Sequence, residues 1–347
     1  MSHLTKTQLN TLEFPELKLV ENRLRELMGG RSSQLEGMAD YIMNLGGKRI
    51  RPLLVLLCSG IYRADFKARV DIAAAAELIH TASLLHDDVV DEAPIRRGQP
   101  SVNNQWGNPS SVLAGDFLFA KAFQVLCRYT RSLEVMTEAI ATMCEGELIQ
   151  LNAHFDPDLS PETYVDTIAG KTASLLAASC ECGGMISTMP RTQVLSLRSF
   201  GLHLGIAYQI IDDIGDYIFG DSQSGKPQGN DIKHGIITLP LLYLLANPQS
   251  KDRVQAMLSQ ETPIRPEMLA QELAETRAIQ KAADVACRHI DTGLNHLERL
   301  PHGRSVIVLK NLAKQFRERS TELSNYSPSA QQPDHPRQYP RPQTRSH

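Results

Sequence analysis

Two short acidic runs hold the residues best suited to chemistry. "HDDVVDEAPIRRG" at 86–98 crowds Asp87, Asp88 and Asp91 together and sets Arg96 and Arg97 close behind. "YQIIDDIGDY" at 208–217 carries Asp212, Asp213 and Asp216, with Gln209 one turn upstream. Asp87 and Asp91 are four apart, as are Asp212 and Asp216, so each pair shares one face of a helix. Their neighbours are apolar, among them Ile206, Ala207, Ile210 and Ile211. Carboxylates gathered on an apolar helix lose hydration and repel, and persist only where cations lie between them. Magnesium suits that place, because it prefers oxygen and is commonly held by one or two carboxylates plus substrate phosphates. The pattern points to two acidic helices that face each other and bridge a diphosphate through Mg²⁺.

Cationic side chains have a matching use. "GGKRIRP" places Lys48, Arg49 and Arg51 after two glycines and before an apolar run, an anion site at a helix N-terminus. Arg96 and Arg97 offer guanidinium groups that pair bidentately with phosphate. Lys171 and Thr172 in "AGKTASLL" and Lys226 in "SGKPQGND" add two more sites. His80 lies seven residues before Asp87, on the same helical face.

Helices must position these groups. In "SSQLEGMADYIMNLGG" the residues Leu35, Met38, Ala39, Ile42 and Met43 keep helical spacing, with Ser32 or Ser33 to cap and Gly46 and Gly47 to stop. Similar patterns predict helices over 12–28, 51–62, 71–91, 110–128, 131–152, 161–183, 191–219, 236–246, 265–299 and 303–322. Aromatics are only 5% of the chain, alanine and leucine dominate, and no pair of alternating runs is joined by a hairpin turn. The fold class expected is all-α. Residues 1–325 read as one domain, and 326–347, rich in Pro, Gln and Arg, as a disordered tail.

A net charge of −3 argues against a nucleic-acid partner. The six cysteines lack CxxC spacing and read as buried free thiols of a reducing compartment. No signal peptide is apparent, and no uncharged apolar stretch reaches the roughly 18–20 residues that span a bilayer. The expected location is cytoplasmic, with transient membrane contact to release an apolar product.

Six segments in order, "GGKRIRP", "ELIHTASLLHDDVVDEAPIRRGQPSVN", "GDFLFAKAF", "GKTASLL", "YQIIDDIGDY" and "GKPQGNDIKHGIITLPLLY", resemble the motifs of the trans-isoprenyl diphosphate synthases. Within that family the chain looks most like bacterial long-chain polyprenyl diphosphate synthases, including the catalytic subunit of heptaprenyl diphosphate synthase. The resemblance implies a large single-domain helical bundle around a deep central cavity, with about three Mg²⁺ per site. It implies Asp87, Asp91 and Asp212 as main metal ligands, with Asp88, Asp213 and Asp216 acting through water or neighbouring groups. Lys48, Arg51, His80 and Arg97 would bind isopentenyl diphosphate. Arg96, Lys171 and Lys226 would bind an allylic diphosphate primer, and Thr172 and Gln209 would line the reacting ends. The resemblance also implies a homodimer, buried through the apolar helix 115–126, or a heteromer with a small partner subunit.

Two positions depart from the family pattern. Gly215 sits inside the second motif and predicts a looser helix, and Ile236 stands where many relatives are polar. The second motif, "DDIGD", separates the chain from terpene cyclases, and its complete aspartates separate it from a non-catalytic subunit. A catalytic subunit active only with a dissimilar partner stays open, as does a shorter-chain synthase. Ala82, Ser83 and Ile79, with Ala75 and Ala76, precede Asp87 on one side of its helix and read as the wall of a product tunnel. One helical turn rises about 5.4 Å, close to one isoprene unit, which predicts roughly six to eight units for a quinone side chain.

Overall fold

The computed structural model describes residues 15–30, 32–219, 230–259 and 266–325. The expected tail at 326–347, Lys226 and the start of the first expected helix lie outside them. In chain order the elements are α1 (Pro15–Met28), α2 (Ser33–Asn44), α3 (Ile50–Ser59), α4 (Phe66–Val90), β1 (Ile95–Arg96), β2 (Gln99–Pro100), α5 (Val102–Trp106), α6 (Asn108–Leu126) and α7 (Thr130–Asn152). They continue as α8 (Pro161–Ile168), a π turn (Ala169–Ala173), α9 (Ser174–Met185), α10 (Arg191–Ile218), α11 (Asn230–Lys233), α12 (Leu239–Leu245), α13 (Lys251–Leu258), α14 (Pro266–Glu275), α15 (Ala278–Leu297) and α16 (Arg304–Ser324). The expected all-α class is borne out.

Two apolar clusters divide the bundle. One gathers α1, α2, α4, α6 and α7, and the other α8, α10 and α12–α16. Helices α3 and α9 contribute to both. Residues 52–59 of α3 are all buried, as befits a helix apolar on every side. Helix α10 is long and apolar enough to cross a membrane, yet 61% of its apolar window is buried in the bundle, which marks a core helix.

Local chemistry sets the boundaries. Asp65 caps α4 by accepting from the Ala68 amide at 2.8 Å, so this helix starts at Phe66 rather than 71. The expected helix 265–299 breaks at Thr276–Arg277, where Arg277 takes a left-handed φ of 55°. Helix α13 falls in a stretch with no helix expected. Residues 161–183 do not form one α-helix, because a π turn interrupts them at Ala169–Ala173. Through Gly215, in contrast, α10 runs unbroken to Ile218, so the second motif is not loosened there.

The only strands among the described residues are β1 and β2, a two-residue ribbon. Its turn is Arg97–Gly98, with φ 55° and 76°, the left-handed pair that suits a tight hairpin. Among the cysteines, Cys58, Cys180 and Cys182 are buried as expected, whereas Cys127 and Cys144 are exposed and Cys287 is half-buried. Cys127 lies in the turn that ends α6 and Cys144 lines the central cavity, a distinction that an apolar neighbourhood in sequence cannot make.

The π turn depends on a close helix approach. A Cβ added at Gly146 of α7 would stand 2.6 Å from the backbone nitrogen of Lys171 and 3.1 Å from the carbonyl oxygen of Thr167. Backbone cannot yield as a flexible side chain can. Gly146→Ala is expected to destabilise the fold by about 1–3 kcal/mol and to reduce turnover by displacing Lys171, measured by denaturant melts alongside an activity assay.

Candidate active site

A cavity of about 1200 Å³ opens between the two clusters. Both acidic runs line it. Asp87 and Asp91 face it from the end of α4, where Asp91 forms the C-cap, and Asp212 and Asp216 face it from α10. Between these walls stand Lys171 and Glu147, joined at 2.6 Å. Beyond the acids the lining turns apolar, with Phe119, Ile140, Met143, Leu148, Leu151 and Leu176.

The basic motifs line the cavity beside the acids. Arg49 adopts a left-handed conformation just before α3, with φ 51°. Its guanidinium reaches Glu77 of α4 at 2.7 Å, so this arginine is committed to an ion pair rather than to a ligand. Lys48 lies over the Tyr208 ring, 5.5 Å from its centroid. Arg97 rests against Gly47, where an added Cβ would come within 3.1 Å of Nη1. Lys48, Arg51, His80 and Arg97 all line this part of the cavity. Burial, reinforced by Arg51, Arg97, Arg96 and Arg49, holds the His80 imidazole well below its ordinary pKa, so it is neutral.

Several expected residues stand elsewhere. Asp88 does not line this cavity: it is 2% exposed, and its carboxylate accepts from the Arg96 guanidinium, Nε at 2.8 Å. Asp88 is therefore a partner for Arg96, which itself lines the cavity. The next residue along a helix is turned by about 100°, which takes Asp88 away from the face of Asp87. Ala82 and Ile79 are fully buried among apolar side chains, as are Ala75 and Ala76, whereas Ser83 lines the cavity. Of the expected tunnel wall on α4, only Ser83 faces the space, and the apolar wall comes mainly from α7.

Asp213 lines the cavity, but it is buried and both of its oxygens are taken. Its Oδ1 accepts from Gln209 Nε2 at 2.7 Å and its Oδ2 from the Tyr164 hydroxyl at 2.5 Å. Gln209 Oε1 in turn accepts from the Thr172 hydroxyl at 2.8 Å. Glu77, Glu147 and Tyr164 were not legible as site residues, because each lies far in sequence from its partner. A buried-facing Glu77 within "AAAAELIH" was the one available signal, being an acid among small apolar residues.

Burial raises the Asp87 carboxyl to about 7; Glu147 and Asp91 add to the shift, and Lys171 and Arg96 oppose it. Burial, with Asp231 nearby, pushes Asp213 up to about 8. Burial alone would lower the Lys171 ammonium, but Glu147, Asp87 and Asp91 outweigh it and raise its pKa. An all-oxygen donor set in a space unfavourable to bare carboxylates fits a hard divalent cation. Among the described residues no three His, Cys, Asp or Glu side chains converge enough to hold an ion alone. Carboxylates on two walls suit an ion whose remaining ligands are diphosphate and water.

An all-α bundle around a cavity that is charged at its mouth and apolar beyond is an isoprenoid synthase fold. The polyprenyl synthetase family model matches residues 32–275. The chain is 34% identical over 300 residues to heptaprenyl diphosphate synthase component 2 of Geobacillus stearothermophilus, covering 86% of this chain and 94% of that one. To octaprenyl diphosphate synthase of Escherichia coli K12 it is 37% identical over 257 residues, covering 73% and 80%. A solved structure of polyprenyl synthase from Caulobacter crescentus CB15, complexed with calcium and isoprenyl diphosphate, matches with a TM-score of 0.85 at 31% identity, over 92% of this chain and 99% of that one. The chain belongs to the polyprenyl synthetase family and is a prenyltransferase.

The raised Asp87 carboxyl links stability to pH. The folded protein holds this proton to about pH 7, whereas the unfolded chain releases it near 3.8. Stability from this group is therefore full below the lower value and is lost as pH rises through the upper one. In metal-free buffer Asp87→Asn is expected to be more stable than wild type at pH 8, by roughly 1–3 kcal/mol. The difference should shrink towards pH 5, as followed by melts in EDTA.

Proposed function

We propose that the protein condenses isopentenyl diphosphate with an allylic diphosphate primer, releases pyrophosphate, and builds an all-trans polyprenyl diphosphate of roughly six to eight isoprene units for a quinone side chain. The observation that carries this reading is the single cavity bearing both aspartate runs and the basic cluster at its mouth and apolar side chains beyond. Asp87, Asp91, Asp212 and Asp216 would hold Mg²⁺, about three ions, which supplies charge neutralisation to the departing diphosphate. The relative solved with calcium and isoprenyl diphosphate supports a divalent ion here.

The protein's own groups divide the work. Lys171, fixed by Glu147, and Arg96, fixed by Asp88, bind the allylic diphosphate. Lys48, Arg51 and Arg97 bind the acceptor diphosphate, and neutral His80 offers a hydrogen bond without adding charge. As the allylic C–O bond breaks, the oxygens of Thr172 and Gln209 stand where positive charge develops. The double bond of isopentenyl diphosphate then attacks, and the departing pyrophosphate takes the proton. The apolar lining shields the cation from water.

The length range no longer rests on Ile79, Ala75 and Ala76, which are enclosed in the core. Its support is the apolar extension of the cavity and the heptaprenyl and octaprenyl relatives. Assembly follows from exposed apolar side chains. On α6, Leu118, Val125 and Leu126 are buried, Phe117, Phe119 and Phe123 are half-buried, and the exposed large apolar residues are Val112 and Leu113. Ile149 of α7 is exposed as well. A second copy of the chain covers such a surface in a twofold dimer. A small dissimilar subunit is the other reading, favoured by the "component 2" relative. The enzyme would work in the cytoplasm and touch a membrane transiently to release product.

Two substitutions test these roles. Arg51→Ala removes a charge-assisted phosphate contact worth about 1.5–3 kcal/mol. It is expected to raise KM for isopentenyl diphosphate about tenfold or more, with little change for the allylic primer, in steady-state assays with labelled isopentenyl diphosphate. Ser83→Phe is expected to shorten the product to about three or four units by filling the space one helical turn below Asp87. Ala82→Phe instead overpacks the core and lowers stability, with chain length read by chromatography of the dephosphorylated products.

A further inference from the structure

Asp212 and Asp213 are adjacent in the second acidic run, yet they face different surroundings. Both line the cavity, but Asp212 is half-buried, whereas Asp213 is 6% exposed and each of its oxygens already accepts a strong hydrogen bond. Successive residues on a helix are rotated by about 100°, so the two carboxylates point in different directions. We propose that Asp213 is a positioning residue that fixes the amide of Gln209, and not a ligand of the metal. The inference rests on the placement of Thr172 and Gln209 at the reacting end made above.

The orientation of that amide is decided by chemistry. The Gln209 nitrogen donates to Asp213 Oδ1 and its carbonyl oxygen accepts from the Thr172 hydroxyl, while Tyr164 occupies Asp213 Oδ2, so both ends of the amide are held by a partner. Thr172 is delivered by the π turn, Gln209 and Asp213 by α10, and Tyr164 by α8. Tyr164 pins the second carboxylate oxygen at 2.5 Å, which stops the carboxylate from turning. Gln209 and Asp213 are four apart on α10, so helix geometry maintains the contact. The outcome is a row of oxygens, Thr172 Oγ1 and Gln209 Oε1, beside the point where the allylic carbon becomes positive. A reversed amide would present N–H groups there and oppose the developing charge.

Asp213→Asn keeps the shape but can donate as well as accept, so the amide of Gln209 loses its fixed direction. The expected result is a 10- to 100-fold fall in kcat, with the Mg²⁺ concentration for half-maximal rate and both KM values within twofold of wild type. The rise in Tm given by Mg²⁺ with inorganic pyrophosphate should persist in Asp213→Asn and disappear in Asp212→Ala. In Gln209→Leu, adding Asp213→Asn should change kcat less than threefold, because the group being positioned is gone. A tenfold or greater increase in the Mg²⁺ requirement, loss of the Tm rise, or additive losses in the double variant would overturn the proposal. Tyr164→Phe, which leaves the carboxylate in place, should lower kcat at least threefold with unchanged Mg²⁺ dependence; wild-type kcat would count against the network. A wild-type enzyme without Mg²⁺-dependent condensation, or a Gln209→Leu variant with full kcat, would instead refute the underlying reading of the site.

Discussion

Taking an ionised side chain out of water incurs several kcal/mol unless an opposite charge or strong hydrogen bonds replace the lost hydration. The cavity of this protein concentrates carboxylates and guanidinium groups within low-dielectric helical walls, and its architecture follows from answering each charge. Glu77 meets Arg49, Asp88 meets Arg96, and Glu147 meets Lys171. These pairs do more than balance charge. They hold long flexible side chains in one rotamer before substrate arrives, which lowers the ordering entropy of binding. Asp87 and Asp213 are the exceptions, carboxyls that burial raises to about 7 and about 8.

Rigid walls are needed to hold such groups against their mutual repulsion. Helices α3 and α9 supply them by joining both apolar clusters. Around the cavity, regular helix gives way beside several of its charged side chains. Arg49 and Arg97 both take left-handed φ values, which non-glycine residues adopt at an energetic cost, and each sits in the basic cluster. The π turn carries Lys171 and Thr172 and is seated on Gly146. Gly47 leaves room for the Arg97 guanidinium. These departures fit a site whose geometry is set by its backbone rather than by adaptable loops.

The division between a charged mouth and an apolar depth also separates the two halves of the chemistry. Diphosphates are recognised by charge, and the growing hydrocarbon by exclusion of water. Ser83 lines this cavity one turn before Asp87 on α4. Ala82, one residue away, is sealed in the core and contributes to packing instead.

Much of this was legible in the sequence. Four-residue spacing of aspartates on apolar runs fixed the helices, their shared faces and the demand for a cation. The glycine-led basic motif marked the anion site, and composition marked the all-α class. Helical periodicity gives the angle of a side chain about its own axis, but not what fills the space on each side. The partners of Asp88 and Asp213, which are Arg96, Gln209 and Tyr164, therefore appear only in the folded chain. Ala82 and Ile79 looked like tunnel wall for the same reason. Glu77, Glu147 and Tyr164 became visible only when α3, α4, α7, α8 and α10 were packed together. Their partners lie 24 to 49 residues away, from Lys171 for Glu147 to Asp213 for Tyr164. A local pattern can state which charges are present; only the tertiary structure decides which of them neutralise one another and which remain for the substrate.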